Sequence, residues 1–269
     1  MAIGAARFFG IRLPVNLFSP YKAQNIVEFW RRWHITLSQF LRDYLYIAMG
    51  GNRHGKLRRY LNLFVTMLLG VLWRGAGWTF VLWGALHGTY LVVNHAWRRV
   101  LKGAGLNFDG YLAYRQLSSV VTFLAVVVGW AHFRAPNLER ANGILLAMLG
   151  ANGAELPAGS TARLDGLADV LTMLGIEVGQ GSGSSFVSNR IWVLAASIAA
   201  VSIANVAQLF HAVDPVIYEN EKAFERYWDS RNGRVAWCQT MPWAAATVTM
   251  LLLGILTLTQ ISELLYFQF

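Results

Sequence analysis

YLNLFVTMLLGVLWRGAGWTFVLWGALHGTYLVVNHAW, residues 60–97, is the stretch that decides the fold class. It consists of two apolar runs around the turn Arg74-Gly75-Ala76-Gly77. At 1.5 Å per residue, residues 60–73 make about 21 Å of helix, short of a bilayer hydrocarbon core of about 30 Å. Residues 78–97 make about 30 Å and match it. Arg53, His54, Lys56, Arg58 and Arg59 precede the pair, and Arg98, Arg99 and Lys102 follow it. Positive clusters mark cytoplasmic flanks, so both ends are expected in the cytoplasm and the Arg74 turn within the membrane. Irregular backbone at that depth survives only when buried in protein or lining a cavity.

The composition agrees. Of 269 residues, 55% are hydrophobic and 14% charged, with a mean hydropathy of +0.40. Soluble domains carry roughly 25% charged residues. The net charge of +9 and pI of about 10.0 raise a nucleic-acid reading. The basic residues sit in short clusters beside apolar runs with no nucleic-acid motif, so no nucleic-acid partner is expected and membrane lipid is. The single cysteine, Cys238, excludes an intrachain disulfide and a zinc site of Cys ligands. Its neighbours Trp237 and Gln239 offer no base for a thioester, and it reads as structural.

Outward from the central pair, residues 1–23 read as loop leading into a helix, with Pro14 and Ser19-Pro20 as breakers and no signal-peptide pattern. Residues 23–49 read as one amphipathic helix, with Ile26, Trp30, Trp33, Leu37, Leu41 and Tyr44 three and four apart. Its aromatics and charges suit an interfacial or re-entrant position. Further apolar runs cover 117–133, 191–211 and 242–260. Between the first two, Leu164, Leu167, Leu171 and Leu174 share one face, and Gly179 to Ser185 reads as a linker. Lys222, Arg226, Arg231 and Arg234 assign 211–241 to the cytoplasm, which puts 134–190 and the C-terminus outside. No internal repeat supports a transporter with paired halves.

Three ionisable residues are candidates for chemistry. His87 lies mid-helix near the bilayer centre, with Trp83, Tyr90 and Asn94 on its face. An ionisable group there is a functional candidate by default. The competing reading is a neutral histidine bonded to a neighbouring helix, whose close approach Gly84 and Gly88 would permit. His34 lies on the apolar face with Trp30, Leu37 and Leu41, where a satisfied core histidine is the competing reading. Arg74 either meets substrate or pairs with Asp43 or Glu28; a guanidinium cannot act as a base because it stays protonated. His95 and His132 read as interfacial, His54 belongs to the basic loop and His211 ends a helix. None makes a metal-ligand spacing, and neither a Gly-x-Ser-x-Gly elbow nor a phosphate loop occurs.

These residues carry a family resemblance. Ser19-Pro20-Tyr21-Lys22-Ala23, then Glu28-Phe29-Trp30-Arg31-Arg32-Trp33-His34-Ile35-Thr36-Leu37-Ser38, then Leu41-Arg42-Asp43-Tyr44-Leu45-Tyr46-Ile47 and Gly50-Gly51-Asn52-Arg53 resemble the signature of alginate O-acetylation proteins, within the membrane-bound O-acyltransferase (MBOAT) family. Trp78 to Gly84 with His87-Gly88 is similar too, as are Gly129-Trp130 with Phe133-Arg134-Ala135, and Tyr266-Phe267-Gln268-Phe269. The resemblance implies an all-α, multi-pass transmembrane fold with re-entrant and interfacial helices. Residues 1–269 would form the C-terminal portion of a single MBOAT membrane domain, since family members begin with further membrane helices. It implies a bacterial cytoplasmic (inner) membrane location and a tunnel between a cytoplasmic acetyl donor, acetyl-CoA or another, and an acceptor outside. The acceptor would be an alginate-like exported polysaccharide, reached through a periplasmic acetyl-acceptor or transfer protein. No bound cofactor and no metal are implied. The family's invariant histidine sits in a Leu-Trp-His-Gly-Ala pattern; here the run is Leu72-Trp73-Arg74-Gly75-Ala76. His34 matches a second family histidine and His87 a further one, and these two are the catalytic candidates. Either one of them serves as base with Arg74 stabilising an oxyanion, or the chain is a catalytically inactive subunit or scaffold of a polysaccharide-modification complex.

Overall fold

The computed structural model describes residues 2–72, 75, 77–151, 154–157, 176–179, 184–202, 205–210 and 237–257, and most of them are helical. The helices are α1 (Ala2–Phe8), α2 (Ile26–Arg32), α3 (Ile35–Phe40), α4 (Gly55–Leu72), α5 (Trp78–Gly103), α6 (Leu112–Arg134), α7 (Leu138–Met148), α8 (Ser184–Ser202), α9 (Val206–Leu209) and α10 (Met241–Thr257). A 3₁₀ turn, Pro20–Lys22, precedes α2, and a π-helical segment, Leu41–Tyr46, follows α3. One departure from all-α is a short parallel pair, β1 (Ala154–Pro157) with β2 (Ile176–Gly179), in register Ala154 to Ile176. The chain divides into two units, Val15–Ile203 and a second made of Met1–Pro14 with Ala204–Phe269.

The helix expected across 23–49 is broken. Asn25 caps α2 by accepting from the Glu28 amide at 3.0 Å, while Glu28 accepts from the Gln24 amide at 2.8 Å and from Arg32 at 2.5 Å. The helix then stops, because Trp33 is extended and His34 is left-handed, at φ 45° and ψ 57°. Segment 16–18 takes over the backbone groups freed there: the Phe18 amide donates to Arg32 O at 2.8 Å and the Ile35 amide to Asn16 O at 3.0 Å. Asn16 Oδ1 also accepts from the Thr36 hydroxyl at 2.9 Å, and Ser38 Oγ donates to Trp30 O at 2.9 Å. Buried backbone groups must be paired, so these bonds make the break tolerable. The π segment, closed by the Ile47 amide on Arg42 O at 2.9 Å, leads to Gly50 and Gly51, whose carbonyl, with that of Met49, accepts from Asn62 of α4.

α4 begins at Gly55, so Lys56, Arg58 and Arg59 lie on its first turns rather than in a loop. Its 18 residues span about 27 Å. It packs closely against α5: a Cβ on Gly84 would stand 2.7 Å from Val71 Cγ2 and 3.1 Å from Met67 O, and one on Gly88 would stand 2.9 Å from Phe64. Gly70 stands equally close to Leu41 of the π segment. α6 lies against the other side of α5, and Phe29, Trp30, Met67, Val71, Trp83 and Val126 form the core between them.

Among the described residues α6 is the one helix long and apolar enough to cross a membrane. Its Leu117, Val120, Val121 and Leu124 are exposed, as are Ile191 to Leu194 of α8 and Met250 to Leu253 of α10. Soluble monomers rarely leave continuous apolar faces uncovered, whereas lipid covers them. The amphipathic run at 164–174, the linker's centre, His211 and the basic residues of 211–236 lie outside the described residues.

Candidate active site

His87 sits on α5 with 1% of its surface exposed. Four aromatic rings enclose it, with centroids at 4.6 Å (Trp83), 5.4 Å (Trp30), 5.6 Å (Tyr90) and 6.2 Å (Phe29). Trp30 Nε1 donates to His87 Nδ1 at 3.3 Å. An indole N–H can only donate, so Nδ1 is unprotonated and the neutral ring carries its proton on Nε2. That Nε2 faces α6 at Gly129, where a Cβ would stand 2.7 Å away. Gly129 is therefore the gap that lets α6 close over the imidazole. Trp83, His87 and Tyr90 do share one face of α5, and that face packs against α2 and α6.

His34 lies half-buried at the break between α2 and α3. Its ring meets Trp33 at 5.7 Å, and Trp33 meets Trp30 at 5.1 Å, Trp83 at 5.9 Å and Trp130 at 5.5 Å. The structure thus brings His34 and His87 to one aromatic cluster, the contacts between them running through Trp33 and Trp30. A non-glycine residue at positive φ costs of order 1–3 kcal/mol and persists only where the surroundings over-determine it. Beside the cluster lies a small apolar cavity of about 10 Å³, bounded by Trp30, Trp33, Leu37, Met67 and Trp83. It holds one water molecule at most.

Arg74, with Trp73 and Ala76, lies outside the described residues. Its two candidate partners are engaged elsewhere, Glu28 with Arg32 and Asp43 with Arg42. His132, expected at an interface, is 4% exposed, and its Nδ1 lies 2.9 Å from Val128 O one turn back. His95 meets Arg59, and His54 and Cys238 are exposed. Among the described residues no three His, Cys, Asp or Glu side chains gather as metal ligands. In the sequence Trp30 reads as packing and Gly129 only as part of a resemblance. Nothing local marks either as a partner of His87, because both contacts join residues far apart in the chain.

Residues 1–126 match the model of the membrane-bound O-acyltransferase family. The particular likenesses are to two acetylating proteins and one that transfers D-alanine. The chain is 49% identical over 156 residues to the peptidoglycan O-acetyltransferase of Helicobacter pylori, covering 58% of this chain and 29% of that protein. It is 46% identical over 167 residues to the probable alginate O-acetylase AlgI of Pseudomonas aeruginosa, covering 62% and 31%. A teichoic acid D-alanyltransferase of Streptococcus thermophilus is 32% identical over 108 residues, covering 38% and 26%. The chain thus spans about a third of the length of the curated relatives it matches most extensively.

Proposed function

We propose that the chain is part of a multi-pass acyltransferase of a bacterial cytoplasmic membrane that moves an acetyl group from a cytoplasmic donor, acetyl-CoA or another, toward hydroxyls of an exported polysaccharide. The observation that carries this reading is the aromatic cluster joining His34 and His87, within a stretch that matches the family and resembles two acetylating proteins. In the reaction, the acceptor oxygen attacks the acyl carbonyl, a base takes the hydroxyl proton, and the donor's leaving group departs. His34 suits the base better than His87, whose Nδ1 is occupied by Trp30. Neutral histidine is matched to that task near neutral pH. Arg74 would offer its guanidinium to the developing oxyanion. A periplasmic transfer protein and an alginate-like polymer are the partners this reading calls for.

A second reading, an inactive subunit of a polysaccharide-modification complex, is favoured by arginine at position 74, where the family pattern has histidine. Polymer-bound acetate in cells lacking their own acetylase separates the two. An active chain restores acetate, and His34→Ala abolishes it. An inactive chain gives none, and Arg74→His then restores it; if Arg74→His restores nothing, acyl transfer is lost as an explanation.

A further inference from the structure

Apart from the aromatic cluster, a second group of polar side chains lies where α2, α4 and α5 meet. Arg59 of α4 donates to His95 Nδ1 of α5 at 3.4 Å. The charges of Arg59, Arg98 and Arg31, carried by α4, α5 and α2, all act on the His95 ring. The ion pairs among the described residues, Glu28 with Arg32 and Arg42 with Asp43, involve none of them. Arg59 Nε is buried without a hydrogen-bond partner, and so is the Oδ1 of neighbouring Asn94. Arg31 and Arg98 are exposed, whereas Arg59 and His95 are half-buried, so the group is both built into the helix interface and reachable.

Like charges held together without a counter-charge repel, and a buried guanidinium N–H without an acceptor adds a desolvation cost. A bound anion removes both penalties. Forked guanidinium donors match the oxygens of phosphate, and His95, with Nδ1 accepting from Arg59, keeps an Nε2–H to add. Positive flanks place this end of α5 on the cytoplasmic side, at the depth of lipid headgroups. We propose that Arg31, Arg59, Arg98 and His95 form a binding site for a phosphate group. That chemistry is shared by an anionic phospholipid headgroup and a phosphorylated soluble ligand. The proposal stands apart from the acyl-transfer reading.

The test uses the whole protein in detergent micelles and follows its unfolding midpoint. One arm adds pyrophosphate against chloride at matched ionic strength; the other adds phosphatidylglycerol against phosphatidylcholine. The midpoint should rise in at least one arm. In Arg59→Gln and Arg98→Gln the half-saturating concentration should increase about tenfold, the factor set by losing one charged contact of roughly 1.4 kcal/mol. Arg53→Gln, on an exposed loop, should respond as the wild type does. Arg98 is itself exposed, so its substitution leaves the fold intact. A rise with phosphatidylglycerol alone assigns the site to a lipid headgroup, and any rise with pyrophosphate assigns it to a soluble ligand. No rise in either arm, equal half-saturation in wild type and both variants, or an equal loss in Arg53→Gln would overturn the proposal.

Discussion

At His34 the backbone occupies the left-handed region while the side chain reaches Trp33. Glycine enters that region at no steric cost, and other residues lose roughly 1–2 kcal/mol there. His34→Gly should therefore be more stable than His34→Ala by about 1 kcal/mol, the reverse of the order in a helix interior. Denaturant unfolding in micelles measures the difference, and an alanine variant as stable as the glycine one would refute the strained geometry. Both variants should lack acetyl transfer if His34 is the base, and added imidazole should rescue the glycine form better. Trp30→Phe keeps a ring but removes the donor to His87 Nδ1. Nitrogen NMR of labelled histidine should show the Nε2–H tautomer at His87 in the wild type and a mixture in the variant; an unchanged signal would mean that the bond does not set the tautomer. Both histidines were legible as candidates from the sequence, one mid-helix in an apolar run and one on an apolar face. Their relation was not, because it runs through Trp30 and Trp33 and depends on how α2 docks on α5.

Helix α5 carries two glycines whose purpose depends on its neighbour. Gly84→Ala drives a Cβ to 2.7 Å from Val71 Cγ2 and should destabilise the protein by about 1–3 kcal/mol despite the better helix propensity. Gly143 of α7 has nothing within 4 Å, so Gly143→Ala should stabilise by about 0.5–1 kcal/mol. Thermal unfolding of the two variants side by side checks the opposite signs. The small-residue pair at Gly84 and Gly88 announced this packing in the sequence, since spacing along one helix face is local information. The break at Trp33 and His34 was hidden for the opposite reason. Apolar spacing of three and four continues through it, and the bonds that stabilise it come from Asn16 and Phe18, which no helical period connects to His34. The lengths of α4 and α5 were underestimated because their charged ends do not look like membrane-embedded helix, although charge is no obstacle once a helix leaves the hydrocarbon.

Across the whole molecule, α6, α8 and α10 each expose a run of apolar residues, which fits a chain solvated by lipid. The sole cysteine, Cys238, is exposed and lies within the segment that the basic residues assign to the cytoplasm. A membrane-impermeant maleimide should label it in inside-out vesicles and not in right-side-out cells, and Cys238→Ser should abolish the signal. Labelling from the outside would invert the topology read from the arginine and lysine flanks. Composition and flanking charge made the membrane setting legible because lipid imposes those patterns everywhere along a span. Beyond the α4–α5 pair the tertiary arrangement was not legible, since it rests on contacts between residues far apart in the chain, such as Trp30 and Gly129 with His87. The aromatic cluster has one more consequence, an optical one. Trp30, Trp33, Trp83 and Trp130 are linked through Trp33 at centroid separations of 5.1–5.9 Å, at which their transition dipoles couple, and light absorbed by one indole is shared among them. With both candidate histidines touching this unit, its ellipticity and emission are an intrinsic readout of the state of the site, with no dye attached.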